Sequence, residues 1–134
     1  MKEAELVHDW NRSEYAFDWS SVTRVELDDE TLRDGQQNPS VVDPPIEGKI
    51  RLLHMMEQLG IHTADIGLPG AGPRAVEAVT ALAREIVDSK LSIRANCAAR
   101  TVLADVEPVA EISQAVGLPI EVCTFIGSSP IRQY

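Results

Sequence analysis

The chain has 134 residues and a formal net charge of −9, from 12 basic and 21 acidic side chains. That length suits one ordinary domain, and 44% apolar with 25% charged residues is a globular composition that excludes disordered and fibrous classes. No basic stripe is present to displace counterions from nucleic acid, no apolar run nears the roughly 20 residues that span a bilayer, and the first twenty residues lack a secretory h-region. Neither a nucleic-acid nor a membrane partner is expected, and the expected location is cytoplasmic. A small anionic substrate stays open, because it needs only a local arginine.

Residues 1–22 stand apart. They hold Trp10, Tyr15, Phe17 and Trp19, four of the six aromatic residues, without a clean period. They read as an arm that packs on the domain or on a neighbouring subunit. From residue 23 a rhythm begins. Residues 23–29 alternate apolar and polar side chains, as a strand does. Residues 47–59 place Ile50, Leu53 and Met56 on one helical face, with Gly60 as a stop signal. Residues 62–68 form a short second strand. Pro73 suits a first helical position, and Val76, Val79, Leu82, Ala83 and Ile86 follow at helical spacing to about residue 88. Residues 91–97 read as a third strand. Asp105 can cap a third helix bearing Val106, Val109, Ile112 and Val116 and ended by Gly117. Residues 120–126 form a fourth strand, and 127–130 a loop.

This β-α-β-α-β-α-β order predicts parallel strands joined by right-handed crossovers. The strand-to-helix links are the longer ones, and they lie at the end of the sheet where α/β folds place their chemistry. Cys97 and Cys123 form neither a C-x-x-C nor a zinc spacing and are expected to be buried, reduced thiols. His8, His54 and His62 show no H-x-H or H-E-x-x-H pattern, and His54 reads as a packing or helix-surface residue. Gly70-Ala71-Gly72 has no following G-K-[ST] and reads as a strand-helix connection rather than a phosphate loop. Ser128 and Ser129 offer either backbone N–H groups for an anion or a plain turn.

The link over residues 30–46 is longer than structureless loops usually are in a compact domain. Arg33 beside Asp34 would alone suit an ordinary salt bridge. In context, residues 29–37 (DETLRDGQQ) resemble the D-x-T-L-R-D-G-x-Q signature of the 2-isopropylmalate synthase and homocitrate synthase family. That family belongs to the metallo-TIM-barrel superfamily that includes hydroxymethylglutaryl-CoA lyase. Residues 60–69 (GIHTADIGLP) are similar to its second-strand segment G-V-D-x-I-E-x-G-F-P. Residues 98–100 (AAR) with Asp105 resemble its third strand and helix start, and residues 124–130 (TFIGSSP) resemble T-F-I-A-T-S-P of its fourth. The four segments run in order over residues 25–134.

The resemblance implies the N-terminal half of a (β/α)8 TIM barrel, with a catalytic domain over 23–134 that stops after the fourth strand. The chain is then expected to be an N-terminal piece of a longer enzyme, inactive alone; a compact four-stranded domain complete in itself is the alternative. The implied activity is an acyltransferase of leucine biosynthesis type, condensing acetyl-CoA with a 2-keto acid. A hydroxymethylglutaryl-CoA-lyase-like reaction and a non-catalytic half-barrel acting by association are the rivals. The resemblance assigns a divalent metal (magnesium, manganese or zinc) partly to Asp34, whose oxygen suits a hard cation. It assigns catalysis and substrate binding to Arg33, which would polarise the keto oxygen. It makes Asp65 catalytic, although the family has glutamate there. Arg100 is a substrate-binding candidate or a surface ion pair, and Gln37 would support the metal and arginine from behind. Cys123 stands where a histidine often precedes T-F-I. The family's further ligands, an H-x-H on a later strand, have no counterpart here. The implied partners are the 2-keto acid, the acyl-CoA and, in the complete enzyme, a second copy in a homodimer.

Overall fold

The computed structural model describes residues 19–127. The expected arm falls outside them except for a short 3-10 turn at Trp19–Ser21, and Ser128 and Ser129 also lie outside. Strands β1 (Asp28–Asp29), β2 (Thr63–Asp65), β3 (Arg94–Arg100) and β4 (Ile120–Phe125) form one sheet in the order β1-β2-β3-β4, with every neighbouring pair parallel. Helices α1 (Ile46–Leu59), α2 (Pro73–Asp88) and α3 (Leu103–Val116) make the three crossovers. Each crossover steps the same way along the sheet, so a constant right hand puts all three helices on one face. That is the arrangement of half a (β/α)8 barrel. Among the described residues no helix is long and apolar enough to cross a membrane.

The two faces of the sheet differ because side chains alternate along a strand. One face presents Ala64, Ile66, Ala95 and Cys97, with Ile120 and Val122 at its margin, to Leu53, Met56, Val79, Leu82, Ala83, Ile86, Val109 and Ile112. The small side chains of β3 let the helices approach closely. The other face carries Asp28, Thr63, Asp65, Arg94, Asn96, Glu121 and Cys123, matched across the strands by register. It is concave. Asn96 Nδ2 on β3 donates to Asp28 Oδ1 on β1 at 2.8 Å, reaching over β2. Arg94 pairs with Glu26 over the same strand. A flat sheet would hold β1 and β3 about 10 Å apart, and the short Asn96 and Asp28 side chains meet most easily where the sheet curls as a barrel wall does.

Helix positions follow the sequence reading closely, and strand positions do so less well. At Gly60 the chain turns left-handed (φ 75°) and the N–H groups of Gly60 and Ile61 return to the carbonyls of Glu57 and Met56, which closes α1 as glycine does. The first strand is confined to Asp28–Asp29 rather than 23–29. Ahead of it, His62 Nδ1 takes the Leu27 N–H at 3.1 Å, so a side chain replaces the backbone acceptor of a regular ladder. Strand β3 is shifted three residues later than expected, because the Glu57 carboxylate receives the N–H groups of Ser92 and Ile93 at 3.0 to 3.2 Å and ties that segment to α1. Asp105 does not cap α3. It lies in the first turn, buried, with Val102 at the cap position.

Candidate functional site

The link after β1 is wound tightly by its own polar groups. Asp29 Oδ1 accepts the Thr31 N–H at 2.8 Å, and the Glu30 carbonyl accepts the N–H groups of Arg33 and Gly35, both at 3.1 Å. Leu32 is buried as the anchor, and a short 3-10 turn over Asp34–Gln37 follows. This winding brings Arg33 and Asp34 to the C-terminal end of the sheet. There the largely buried Arg33 guanidinium meets groups from three strands. Its Nη1 bonds Asp34 Oδ1 and lies 3.6 Å from Glu30 Oε2. Its Nε lies 3.9 Å from Asp65 Oδ2 at the end of β2. Its Cζ lies 5.8 Å from the ring centre of Phe125 at the end of β4.

The gap to Asp65 is beyond hydrogen-bond reach, and Arg33 Nε is buried with no acceptor among the described residues. Glutamate at position 65 would extend the carboxylate by about 1.5 Å. The aspartate therefore leaves an arginine donor unmet. Asp65 Oδ1 is occupied by the Gly67 N–H at 3.0 Å. Burial pushes the Asp65 carboxyl up to about 6, with the Gly67 N–H and Arg33 opposing. Glu30 is raised above the ordinary carboxylate range by its hydrogen bond with the Asp34 carboxyl.

The structure thus brings Arg33, Asp34 and Asp65 together and adds Glu30 and Phe125, which sequence reasoning did not single out. Glu30 stood within the signature itself. Phe125 was visible only through register, as the strand-end residue on the same face as Cys123. Arg100 occupies the same end of the sheet, but its guanidinium forks onto Asp105, with Nε to Oδ2 and Nη2 to Oδ1 both at 2.7 Å. The Arg100 N–H adds a third bond to Oδ2 at 3.0 Å. The Arg100 side chain holds the Asp105 carboxyl down at about 2. Of the two readings of Arg100, the geometry displays the ion pair. Gln37 is exposed and borders, with Gln36 and Lys49, a cavity of about 180 Å³ behind Arg33.

The cysteine expectation needs correction. Cys97 is buried, but Cys123 is exposed. Cys97 faces the helices, whereas Cys123 pairs in register with Ala98 and so lies on the concave face. Desolvation, then the carboxylates of Glu121, Asp65, Asp28 and Glu30, raise its pKa, so it is a neutral thiol at pH 7. His54 Nε2 meets Glu85 Oε1 at 2.8 Å, linking α1 to α2 as a packing residue. Among the described residues no three His, Cys, Asp or Glu side chains are placed to hold a metal ion. The Glu30 and Asp34 carboxylates are of the right chemical kind for a hard cation, but they do not complete a site.

Two expected results test this geometry. Asp65 has a raised pKa, so the folded state binds its proton more tightly than the unfolded state. Its stabilising effect is complete below pH 3.8 and is lost as pH rises to about 6. Asp65→Asn, which keeps the acceptor for Gly67, should therefore gain on the wild type between pH 4 and pH 7, by about 2 kcal/mol. Urea unfolding at both pH values checks this, and an equal difference at both refutes it. The second result concerns Gly70, where a Cβ would stand 2.5 Å from Asp105 Cγ and Oδ1. Gly70→Ala should cost about 1–3 kcal/mol by overpacking, and much less in an Asp105→Ala background, a coupling that a double-mutant cycle measures.

Comparison with known proteins adds the lineage. The chain is 30% identical over 111 residues to a 2-isopropylmalate synthase of Lactococcus lactis subsp. cremoris, covering 83% of this chain and 20% of that protein. It is 35% identical over 105 residues to the 2-isopropylmalate synthase of Nitrosomonas europaea, covering 78% and 19%. It is 33% identical over 113 residues to that of Neisseria meningitidis serogroup A, covering 84% and 21%. The chain thus spans about a fifth of the length of these relatives. The HMGL-like family model matches residues 24–133, a span that holds all four strands, all three helices and the grouping around Arg33, and the chain belongs to the HMGL-like family.

Proposed function

We propose that this chain contributes the arginine-aspartate part of an active site that condenses acetyl-CoA with a 2-keto acid, the reaction type of 2-isopropylmalate synthase. The observation that supports it is the meeting of Arg33, Asp34 and Asp65 at the C-terminal end of a parallel sheet, in a chain whose relatives bear that name. Arg33 Nη2 makes no bond among the described residues, so it is the nitrogen that would meet the keto oxygen. In the condensation the acetyl-CoA methyl loses a proton, the enolate carbon attacks the keto carbon, and negative charge gathers on the keto oxygen. A guanidinium fixed beforehand stabilises that charge without reorganising. Thioester hydrolysis then gives a 2-hydroxy dicarboxylate and CoA.

In this proposal Asp34 gives one ligand to a divalent cation, magnesium, manganese or zinc, whose other ligands come from outside the described residues. When bound, the cation supplies Lewis acidity toward the keto acid. Asp65 and Glu30 act on Arg33, and Gln37 stands behind the turn. Arg100 would reach a substrate carboxylate only by leaving Asp105. The complete enzyme would be a cytoplasmic homodimer of leucine biosynthesis.

The test is a chimera in which residues 24–133 replace the matching segment of the Lactococcus lactis synthase. CoA release is followed with acetyl-CoA and a panel of 2-keto acids. Turnover with at least one 2-keto acid supports the proposal. A folded chimera that fails with every one rejects it.

A further inference from the structure

We infer that Phe125 is a positioning residue that holds the Arg33 guanidinium over its ring. The edges of that group are weakly held. Nη1 alone is bonded, to Asp34, with Glu30 at 3.6 Å. Nε is buried without an acceptor, and Asp65 stands 3.9 Å away. One bonded nitrogen leaves the planar group free to swing about the Cγ–Cδ and Cδ–Nε bonds. A further constraint comes from the Phe125 ring, over which Cζ lies 5.8 Å from the ring centre, within the range where an aromatic quadrupole attracts a cation.

Phe125 belongs to β4, the strand farthest from β1 in the sheet order, and pairs with Arg100 at the C-terminal end. The curl of the concave face lets a residue of the last strand reach a residue that follows the first. Phe125 is half exposed (46%), so the contact does not follow from core packing. An aliphatic side chain of similar size would fill the same space and lack the quadrupole. The consequence for turnover rests on the proposed function; the effect on Arg33 does not.

The test is read first in the chain itself. In the wild type, the Arg33 Nε–H and Hδ resonances should be shifted upfield by the ring, and the Nε–H should exchange slowly. Phe125→Leu should abolish the shift and speed exchange several-fold, with an unchanged thermal midpoint, and Phe125→Trp should restore both. Unchanged Arg33 exchange in a folded Phe125→Leu protein overturns the inference. In the chimera, Phe125→Leu should lower kcat about 3- to 30-fold with KM within about twofold, and Phe125→Trp should recover it. An active chimera whose kcat ignores Phe125→Leu also overturns the inference, while leaving the proposed function standing. A chimera inactive with Phe125 intact rejects the proposed function, and the exchange measurements then decide the inference by themselves.

Discussion

Arg33→Lys in the active chimera should lower kcat about 100-fold or more while leaving cation affinity nearly unchanged. Lysine keeps the charge but not the planar fork. In the structure that fork does several things at once: Nη1 goes to Asp34, Nε stands nearest Asp65, and Cζ lies over the Phe125 ring. A single ammonium cannot keep those contacts and also meet a substrate oxygen. Asp34→Asn should behave differently. It removes a hard anionic donor, so cation affinity and activity should fall together, with partial rescue at high manganese concentration. If Arg33 and Asp34 formed only a surface salt bridge, both variants would lose about 1 kcal/mol or less and turn over normally. Steady-state CoA release with parallel metal titrations separates these outcomes, and near-normal kcat in both variants would remove Arg33 and Asp34 from the reaction.

The helices were legible in the sequence because their signals are local. The Ile50-Leu53-Met56 stripe ending at Gly60, and Pro73 opening a run from Val76 to Ile86, each lie within one turn-by-turn pattern. Strand limits were less legible because partners far along the chain decide them. Glu57 holds back the start of β3 from a position 35 residues away, and His62 interrupts the ladder at Leu27. The same distinction governs the site. Arg33 and Asp34 were readable from one short signature, and Asp65 from its place at a strand end. The shortfall at Asp65 was also readable, since one missing methylene is the order of the gap that leaves Arg33 Nε unmet. The Arg100-Asp105 fork was not readable. An aspartate two residues into a helix looks like a cap, and only the close approach of Gly70 and the strand end shows that it faces inward. Cys123 was misjudged for a similar reason. Burial averages over residue types place cysteine inside, but one-residue register on β4 puts it on the polar concave face.

Leu53→Ala should cost the chain about 3–5 kcal/mol. Leu53 is 0% exposed and sits where α1 packs on the sheet, among side chains too tightly engaged to close a cavity fully. The sheet residues of the same core cluster, Ala64 and Ala95 among them, are small and have no side-chain length with which to fill the space. Leu59→Ala, six residues on in the same helix and 77% exposed, should change stability by less than about 0.5 kcal/mol. The difference matters more here than in a closed barrel. Among the described residues the concave face bears Phe125 and Cys123 in the open, and β1 and β4 are both edge strands. The helix-facing core therefore provides most of the apolar burial. With total stability of order 5–15 kcal/mol for a domain, losing Leu53 should remove about a fifth or more of it. Urea unfolding at neutral pH would read this as a large fall in midpoint at constant m. Equal midpoints for Leu53→Ala and Leu59→Ala would show that α1 does not pack on the sheet through this face.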